Sequence, residues 1–133
     1  MTISQILKLA ITKLKAAKIT DTPQLEAEIL LSHVLKKPRE FLLAHGEKKL
    51  TSRQIPALKS LISRRLKGVP AAYLIGRKEF YGLDFIVNKN VLIPRPETEL
   101  LVEEALKLIT RNAKSTTFVD VGTGSGCIII TLA

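Results

Sequence analysis

The sequence predicts a small all-α bundle, then a β-hairpin linker, then the start of an α/β domain. Three observations predict this order. Apolar residues recur at helical spacing through residue 75, they alternate at strand spacing from residue 76, and residues 116–133 have the pattern of a strand, a glycine turn and a helix start.

The composition is that of an ordinary globular protein. Of the 133 residues, 46% are hydrophobic and 25% charged, and no apolar run approaches the roughly 20 residues that a membrane-spanning helix needs. The single cysteine, Cys127, allows no internal disulfide, and neither His33 nor His45 has neighbours spaced as metal ligands. We therefore expect a cytoplasmic protein with no membrane segment and no bound metal.

The excess positive charge lies entirely in the first part of the chain. The formal net charge is +9, and residues 1–75 hold 14 lysines and arginines against five acids, whereas residues 76–133 hold seven of each. Such a field favours encounter with an acidic protein or with nucleic acid. A solvated, lysine-rich helical surface would carry the same charge.

Four helices and a last helical turn at residues 70–74 are predicted in the first part. Their starts have a capping box, prolines in the first turn and a serine cap. These signals are Thr2 with Gln5, Pro23, Pro38 and Ser52, and Gly68 is predicted to end the fourth helix. The predicted inward-facing residues are Ile3, Ile6, Leu7, Ala10, Ile11, Leu14, Leu25, Ile29, Leu30, Val34, Ile55, Leu58, Leu61, Ile62 and Leu66.

From Gly76 the apolar residues alternate, as in a β-hairpin whose turn is Tyr81-Gly82. The alternating positions are Phe80, Leu83, Phe85 and Val87. Residues 91–93 can add one more extended piece. Pro94 and Pro96 keep the residues before them out of the helical region of backbone space.

A further helix is predicted after Pro96, followed by a polar loop at residues 112–115. Glu97 and Glu99 lie near the positive N-terminal end of this helix, where acids are favoured. The residues predicted to share its apolar face are Leu100, Leu101, Ala105, Leu108 and Ile109. Residues 116–121 then form a β-branched, almost continuously apolar run, which predicts a strand buried in a parallel sheet.

The predicted strand leads directly into Gly-Thr-Gly-Ser-Gly at residues 122–126 and then into an apolar helix start. Glycines permit positive φ and close approach of the backbone to a ligand, and free N–H groups at a helix start favour an anionic group. The spacing is G-x-G-x-G with Asp120 two residues before it, which differs from the dinucleotide fingerprint and from a P-loop. The pattern indicates a ligand-binding loop, although a strand-to-helix turn with no ligand is the alternative.

The run D-V-G-T-G-S-G at residues 120–126 is similar to motif I of class I S-adenosylmethionine-dependent methyltransferases. This resemblance implies S-adenosylmethionine as the cofactor and the start of a Rossmann-like class I methyltransferase domain at residues 97–133. It also implies that Asp120 orders the loop or its ligand. The residues whose backbone would pack beside the methionine part of the cofactor are Gly122, Thr123, Gly124, Ser125 and Gly126.

Three more stretches resemble the linker of the HemK/PrmC methyltransferases: P-A-A-Y-L-I-G at 70–76, E-F-Y-G-L at 79–83 and V-L-I-P-R-P-E-T-E at 91–99. The resemblance spans essentially the whole chain. It implies a helical substrate-recognition domain at 1–75 and a hairpin linker at 76–96. The residues that it implies as supports for the cofactor or the substrate glutamine are Phe80, Arg95, Glu97, Thr98 and Glu99. A core role for Phe80 and a purely structural helix start at 94–99 are the alternatives.

By this resemblance, the whole protein would be a protein-(glutamine-N5) methyltransferase acting on the G-G-Q loop of class 1 peptide chain release factors. The basic helical domain would help to dock the release factor, and the protein would be a monomer. The family's catalytic N-P-P-Y motif is not found in the 133 residues, so no catalytic residue is assigned and the chain alone is expected to be inactive.

Two other functions stay open at this point. A nucleic-acid methyltransferase of the adenine-N6 type, with a basic helical binding module, explains the charge of +9 equally well. The other possibility is that the chain serves only as a non-catalytic interaction or folding fragment. Because one central strand and a helix start would be left without the rest of their sheet, we also expect the chain to be part of a longer protein.

Overall fold

A computed structural model describes residues 1–111 and 117–133. The chain forms two compact units, Met1–Ile75 and Gly76–Ala133. The first unit is helical, whereas the second starts with a two-stranded antiparallel sheet.

The first unit is built around one central helix. Its helices are α1 (Ile3–Ala17), α2 (Pro23–Leu35), α3 (Arg39–Ala44), α4 (Gln54–Leu66) and α5 (Ala71–Ile75). Helix α2 contacts each of the other four. The buried core residues are Ile3, Ile6, Ala10, Leu14, Ala27, Leu30, Leu31, Leu42, Leu50, Leu58, Ile62 and Leu74.

The predicted signals at the helix ends are confirmed at three places. The Thr2 hydroxyl accepts a hydrogen bond from the Gln5 N–H at 3.3 Å, and the Gln5 side-chain oxygen accepts one from the Thr2 N–H at 2.9 Å. Pro23 lies in the first turn of α2. Gly68 has φ +92° directly after α4, as expected for a glycine that ends a helix.

The predicted cap of α4 is wrong by one residue. Ser52 makes no cap; instead Thr51 and Gln54 form the reciprocal pair, with the Gln54 N–H donating to the Thr51 hydroxyl at 3.3 Å and the Thr51 N–H donating to the Gln54 side chain at 2.9 Å. Arg53, the residue before Gln54, already has helical backbone angles, so Thr51 and Gln54 have the spacing of a cap and the third residue after it. Thr51 rather than Ser52 is therefore the cap, because Thr51 lies three residues before the glutamine with which it pairs.

Two leucines predicted to face inward are exposed. These are Leu25 on α2 and Leu66 on α4. Because α2 is contacted from several sides, its buried residues include Glu28 and Leu31, which lie outside the predicted stripe. A central helix has no single apolar stripe, so periodicity alone misplaces part of its buried surface.

The second unit starts with the predicted hairpin, which is confirmed. Strands β1 (Arg77–Phe80) and β2 (Leu83–Ile86) are antiparallel, with Arg77 opposite Ile86. Tyr81 and Gly82 form the turn with φ +52° and +75°. Positive φ at both positions is the type I′ geometry that matches the twist of a hairpin, and it accounts for glycine at the second position.

The remaining described elements are a 3₁₀ turn at Pro96–Thr98, helix α6 (Glu99–Arg111) and helix α7 (Cys127–Leu132). A second core cluster joins the hairpin to both helices through Phe80, Phe85, Val102 and Cys127. The predicted inward face of α6 is partly wrong, because Leu100, Leu101 and Leu108 are exposed while Val102 is fully buried. The side of α6 that carries Val102 and Leu106 packs into this cluster.

The predicted buried strand at 116–121 is not formed in the described residues. Residues 117–121 have no strand partner, and Val119 and Val121 are 84% and 92% exposed. A strand needs neighbours for its backbone hydrogen bonds, and the part of the chain that the structure describes supplies no parallel one. The predicted polar loop at 112–115 and residue 116 lie outside the described residues.

Candidate ligand-binding site

The glycine-rich segment folds as a tight turn that leads into α7. Gly122, Gly124 and Gly126 all have positive φ, at +79°, +59° and +78°. The Gly126 N–H donates to the Thr123 carbonyl at 2.9 Å, and the Thr123 hydroxyl donates to the Asp120 carbonyl at 3.0 Å. The loop is therefore held by its own backbone and by Thr123.

Space at the loop differs between its ends. A Cβ at Gly126 would lie 2.9 Å from the Ile130 Cδ1 atom, so this glycine leaves room for the Ile130 side chain of α7. A Cβ at Gly122 would meet no described atom within 4 Å, and this end of the loop is exposed. A ligand can thus reach the backbone at the Gly122 end.

Asp120 carries the polar atom with unsatisfied hydrogen bonding at this site. Its Oδ2 atom is buried and has no hydrogen-bond partner among the described residues. A buried carboxylate oxygen without a partner costs free energy, and such an atom in a native protein calls for an explanation such as a ligand. A group with a hydroxyl or ammonium donor would satisfy it.

The proline-rich segment before α6 has one residue with a clear structural task. The Glu99 carboxylate accepts a hydrogen bond from the Tyr81 N–H at 2.9 Å, so it holds the hairpin turn against the start of α6. Sequence reasoning missed this link, because the two residues are 18 positions apart and no local pattern joins them. Arg95 and Glu97 are exposed, and the Thr98 N–H donates to the Arg95 carbonyl at 3.0 Å.

Phe80 lies inside the second core cluster, with 1% of its surface exposed. Its ring meets that of Phe85 edge to face, with centroids 6.2 Å apart. Phe80 is therefore part of the core of this unit, and its predicted support for the cofactor or the substrate glutamine stays a prediction. Cys127, directly after the glycine loop, belongs to the same cluster, so the hairpin and the loop share one packed support.

Charged side chains of the first unit form two links between helices. Arg65 of α4 donates to both carboxylate oxygens of Glu26, at 2.7 and 3.1 Å, and Arg39 donates to the Glu28 carboxylate at 2.6 Å. Burial acts to raise the pKa of Glu28, but the hydrogen bonds from Gln24 and Arg39 and the charge of Arg39 together lower its pKa below the ordinary value.

The described residues contain neither a candidate membrane span nor a candidate metal site. None of the described helices is long and apolar enough to span a membrane. In the ranges 1–111 and 117–133, no cluster of three histidine, cysteine, aspartate or glutamate side chains has the arrangement of a metal site.

The fold and the loop together define the class of protein. It has a basic helical unit, a β-hairpin, and a glycine turn that follows an aspartate with one buried carboxylate oxygen. A sequence model of the PrmC N-terminal domain matches residues 5–76, which is more than half of the chain. The chain therefore belongs to the HemK/PrmC family.

Curated relatives extend the similarity beyond the helical unit. The release factor glutamine methyltransferase of Koribacter versatilis is 46% identical over 133 residues, covering all of this chain and 47% of the relative. That of Coxiella burnetii is 48% identical over 115 residues, covering 86% of this chain and 41% of the relative. The bifunctional methyltransferase of Rickettsia bellii is 42% identical, covering 84% of this chain and 25% of the relative. The chain thus spans less than half the length of these relatives.

Proposed function

We propose that the chain is the N-terminal part of an S-adenosylmethionine-dependent methyltransferase that modifies the glutamine amide in the G-G-Q loop of class 1 peptide chain release factors. The similarity to release factor glutamine methyltransferases, at 46% identity over all 133 residues, carries this proposal. The activity belongs to a protein longer than this chain. Since its substrate acts in translation, the cytoplasm is the proposed compartment.

The residues proposed to hold S-adenosylmethionine are Asp120 and the backbone of residues 122–126. When bound, this cofactor supplies the methyl group that is transferred. The unpaired Asp120 oxygen suits a ligand with a hydrogen-bond donor, and the exposed backbone at Gly122 leaves room for one. The residues proposed as further contacts to the cofactor or the glutamine are Phe80, Arg95, Glu97, Thr98 and Glu99, of which Arg95 and Glu97 are exposed.

The proposed Rossmann-like sheet belongs to the longer protein. The exposed Val119 and Val121 lie on a segment without a partner, as expected for a strand whose neighbours come from further residues. Methyl transfer needs a group that orients the substrate amide nitrogen, because an amide is a poor nucleophile and positioning supplies much of the rate. The family's N-P-P-Y motif, which would do this, is not within the 133 residues.

The first experiment tests the longer protein. Its reading frame is expected to continue into an N-P-P-Y segment. The encoded protein should transfer a labelled methyl group from S-adenosylmethionine to a class 1 release factor, at glutamine in mass spectra of the peptides. Asp120→Asn should weaken cofactor binding at least tenfold, whereas Asp84→Asn, on the exposed hairpin, should leave it unchanged. A frame without the motif, or a purified enzyme that methylates only DNA or RNA, would refute the proposal.

The charge of the helical unit also suits the second candidate, a nucleic-acid methyltransferase. The release factor and a random RNA can be compared as ligands of the chain at several salt concentrations. Phosphate-driven binding falls steeply with salt, so RNA affinity should collapse where affinity for the release factor is largely kept. If affinity for RNA were largely kept at high salt while affinity for the release factor collapsed, the result would favour a nucleic-acid methyltransferase.

A further inference from the structure

An apolar groove of about 260 Å³ runs between α1 and α4 in the helical unit. Its floor is made by the buried side chains of Ile6, Leu58 and Ile62. Two exposed leucines, Leu9 and Leu66, form part of its walls. Exposed leucines beside a concave surface mark an interaction site more often than isolated ones do.

The groove has the dimensions of a helix-binding site. On α1 its walls extend from residue 6 to residue 13, and on α4 from residue 58 to residue 66. At 1.5 Å per residue, both walls are about 10 to 12 Å long, or about two helical turns. A third helix can lay residues i, i+3, i+4 and i+7 into such a groove.

The charge at the groove is positive. Lys13 and Lys59 line it and are exposed, and neither makes an ion pair with any described residue. No acidic side chain is among the described residues that line it. Elsewhere in the unit, Glu26 and Glu28 are already paired with arginines, so they do not offset the two lysines.

We propose that this groove binds an amphipathic helix of a protein partner, with its leucine-like face on Ile6, Leu58 and Ile62 and acidic residues beside Lys13 and Lys59. Nucleic acid fits less well, because the lining is mainly apolar and offers only Lys13, Lys59 and Ser63 as polar side chains for a base or phosphate. A second copy of the chain would bring a unit of net charge +9 against another. The inference deepens the proposed function and rests on it for the kind of partner, namely a protein substrate.

The test uses the 133-residue chain and a fluorescent peptide of about 14 residues, long enough to form helix on binding. The peptide has leucines at i, i+3, i+4 and i+7 and glutamates at most other positions. A scrambled peptide of the same composition and a peptide with lysines in place of the glutamates are the controls. Fluorescence anisotropy should show binding of the acidic peptide alone.

Leu9→Gln should weaken this binding about fivefold, since it removes roughly half of a leucine contact. Leu9 is 45% exposed, so the change is expected to leave the fold intact. Leu43→Gln is the matched control, because Leu43 is 71% exposed on α3 and does not line the groove. Lys13→Gln should weaken binding at low salt and have less effect at high salt, whereas Lys8→Gln, elsewhere on α1, should have little effect.

The groove inference fails if the acidic peptide does not bind, if the scrambled peptide binds equally well, or if Leu9→Gln changes nothing. It also fails if single-stranded RNA displaces the peptide with the same dependence on Leu9, or if sedimentation shows a dimer that Leu9→Gln dissociates. Release factor binding separates the two proposals. Equal binding of the release factor to the wild type and to Leu9→Gln refutes the groove alone. If the longer protein does not methylate a release factor, the substrate is refuted while peptide binding still supports the groove.

Discussion

At the residue scale, Arg65 links three parts of the helical unit: α4, on which it lies, α2, and the connection after α1. It is 8% exposed, and its guanidinium donates to Glu26 of α2 and to the Ile19 carbonyl at 3.0 Å in the connection after α1. A planar guanidinium with several donors can serve two helices and a loop at once. No lysine could make the same set of bonds.

We predict that Arg65→Ala lowers the free energy of unfolding by about 3 kcal/mol, because removing one partner leaves the Glu26 carboxylate and the Ile19 carbonyl unpaired in a largely buried place. Arg64→Ala, an exposed neighbour, should cost less than about 0.5 kcal/mol. Urea unfolding followed by circular dichroism measures both. Equal losses for the two variants would contradict the assigned role of Arg65.

The second prediction concerns the pH dependence of Glu28. Its pKa is lowered in the folded protein from the ordinary value of 4.5, so its ionised form stabilises the fold above that value, and this contribution disappears as the pH falls through the folded pKa. Unfolding free energies of wild type and Glu28→Gln should therefore differ most near neutral pH and converge as the pH falls below 4.5 and through the folded pKa. Glu40→Gln, at an exposed position, should show a small difference throughout. If the difference in unfolding free energy between the two proteins increased toward acid pH, the pKa of Glu28 would not be lowered in the folded protein.

At the element scale, the first unit uses the same N-terminal device twice. Thr2 with Gln5 starts α1, and Thr51 with Gln54 starts α4, each pair with one bond at 2.9 Å and one at 3.3 Å. Both pairs provide hydrogen-bond acceptors for backbone N–H groups that have no partner within the helix at its first turn.

We predict that Thr51→Ala destabilises the chain by about 1 kcal/mol, the usual effect of losing a cap hydroxyl. Ser52→Ala should be almost neutral, because Ser52 makes no cap in the structure. Thermal unfolding of the two variants gives a direct comparison. A larger loss of stability for Ser52→Ala than for Thr51→Ala would show that Ser52 is the cap, as the sequence alone predicted.

At the scale of the whole molecule, the two units differ in how much core they have. Among the residues that the structure describes, the first has a cluster of twelve buried residues, from Ile3 to Leu74, whereas the buried cluster that joins the hairpin, α6 and α7 has four. Small cores rarely supply enough burial to offset the loss of chain entropy on folding. The first unit is therefore expected to be the more independent of the two.

A chain ending at Ile75 should retain its helical circular dichroism and unfold cooperatively in urea, since it contains its whole buried core and both partners of its two arginine–glutamate pairs. The complementary piece, residues 76–133, should show no cooperative transition. In the intact chain, amide exchange should be fast at residues 117–121, which have no strand partner in the described part. Cooperative unfolding of the second piece, or its absence in the first, would overturn this division.

Much of the local structure follows from the sequence because it depends on neighbours within four residues. The Thr2–Gln5 box, the proline start of α2, Gly68 after α4 and the Tyr81-Gly82 turn were all predicted and are confirmed. The glycine loop was likewise predicted as a turn that leads into a helix, and it folds as one. Its ligand stays a prediction, supported by the unpaired oxygen of Asp120.

By itself, then, the sequence determined the order of the helices and the hairpin, the cap of α1, the hairpin turn and the uneven distribution of charge, since spacing and residue type decide these locally. Only the tertiary structure decided which side of α6 is buried, which residues of α2 form the core, and that Arg65 meets Glu26 from 39 positions away. It also decided that Glu99 holds the hairpin turn and that α1 and α4 leave a groove between them. The physical reason is that burial and ion pairing depend on which helices come together, and no periodicity along one helix contains that information.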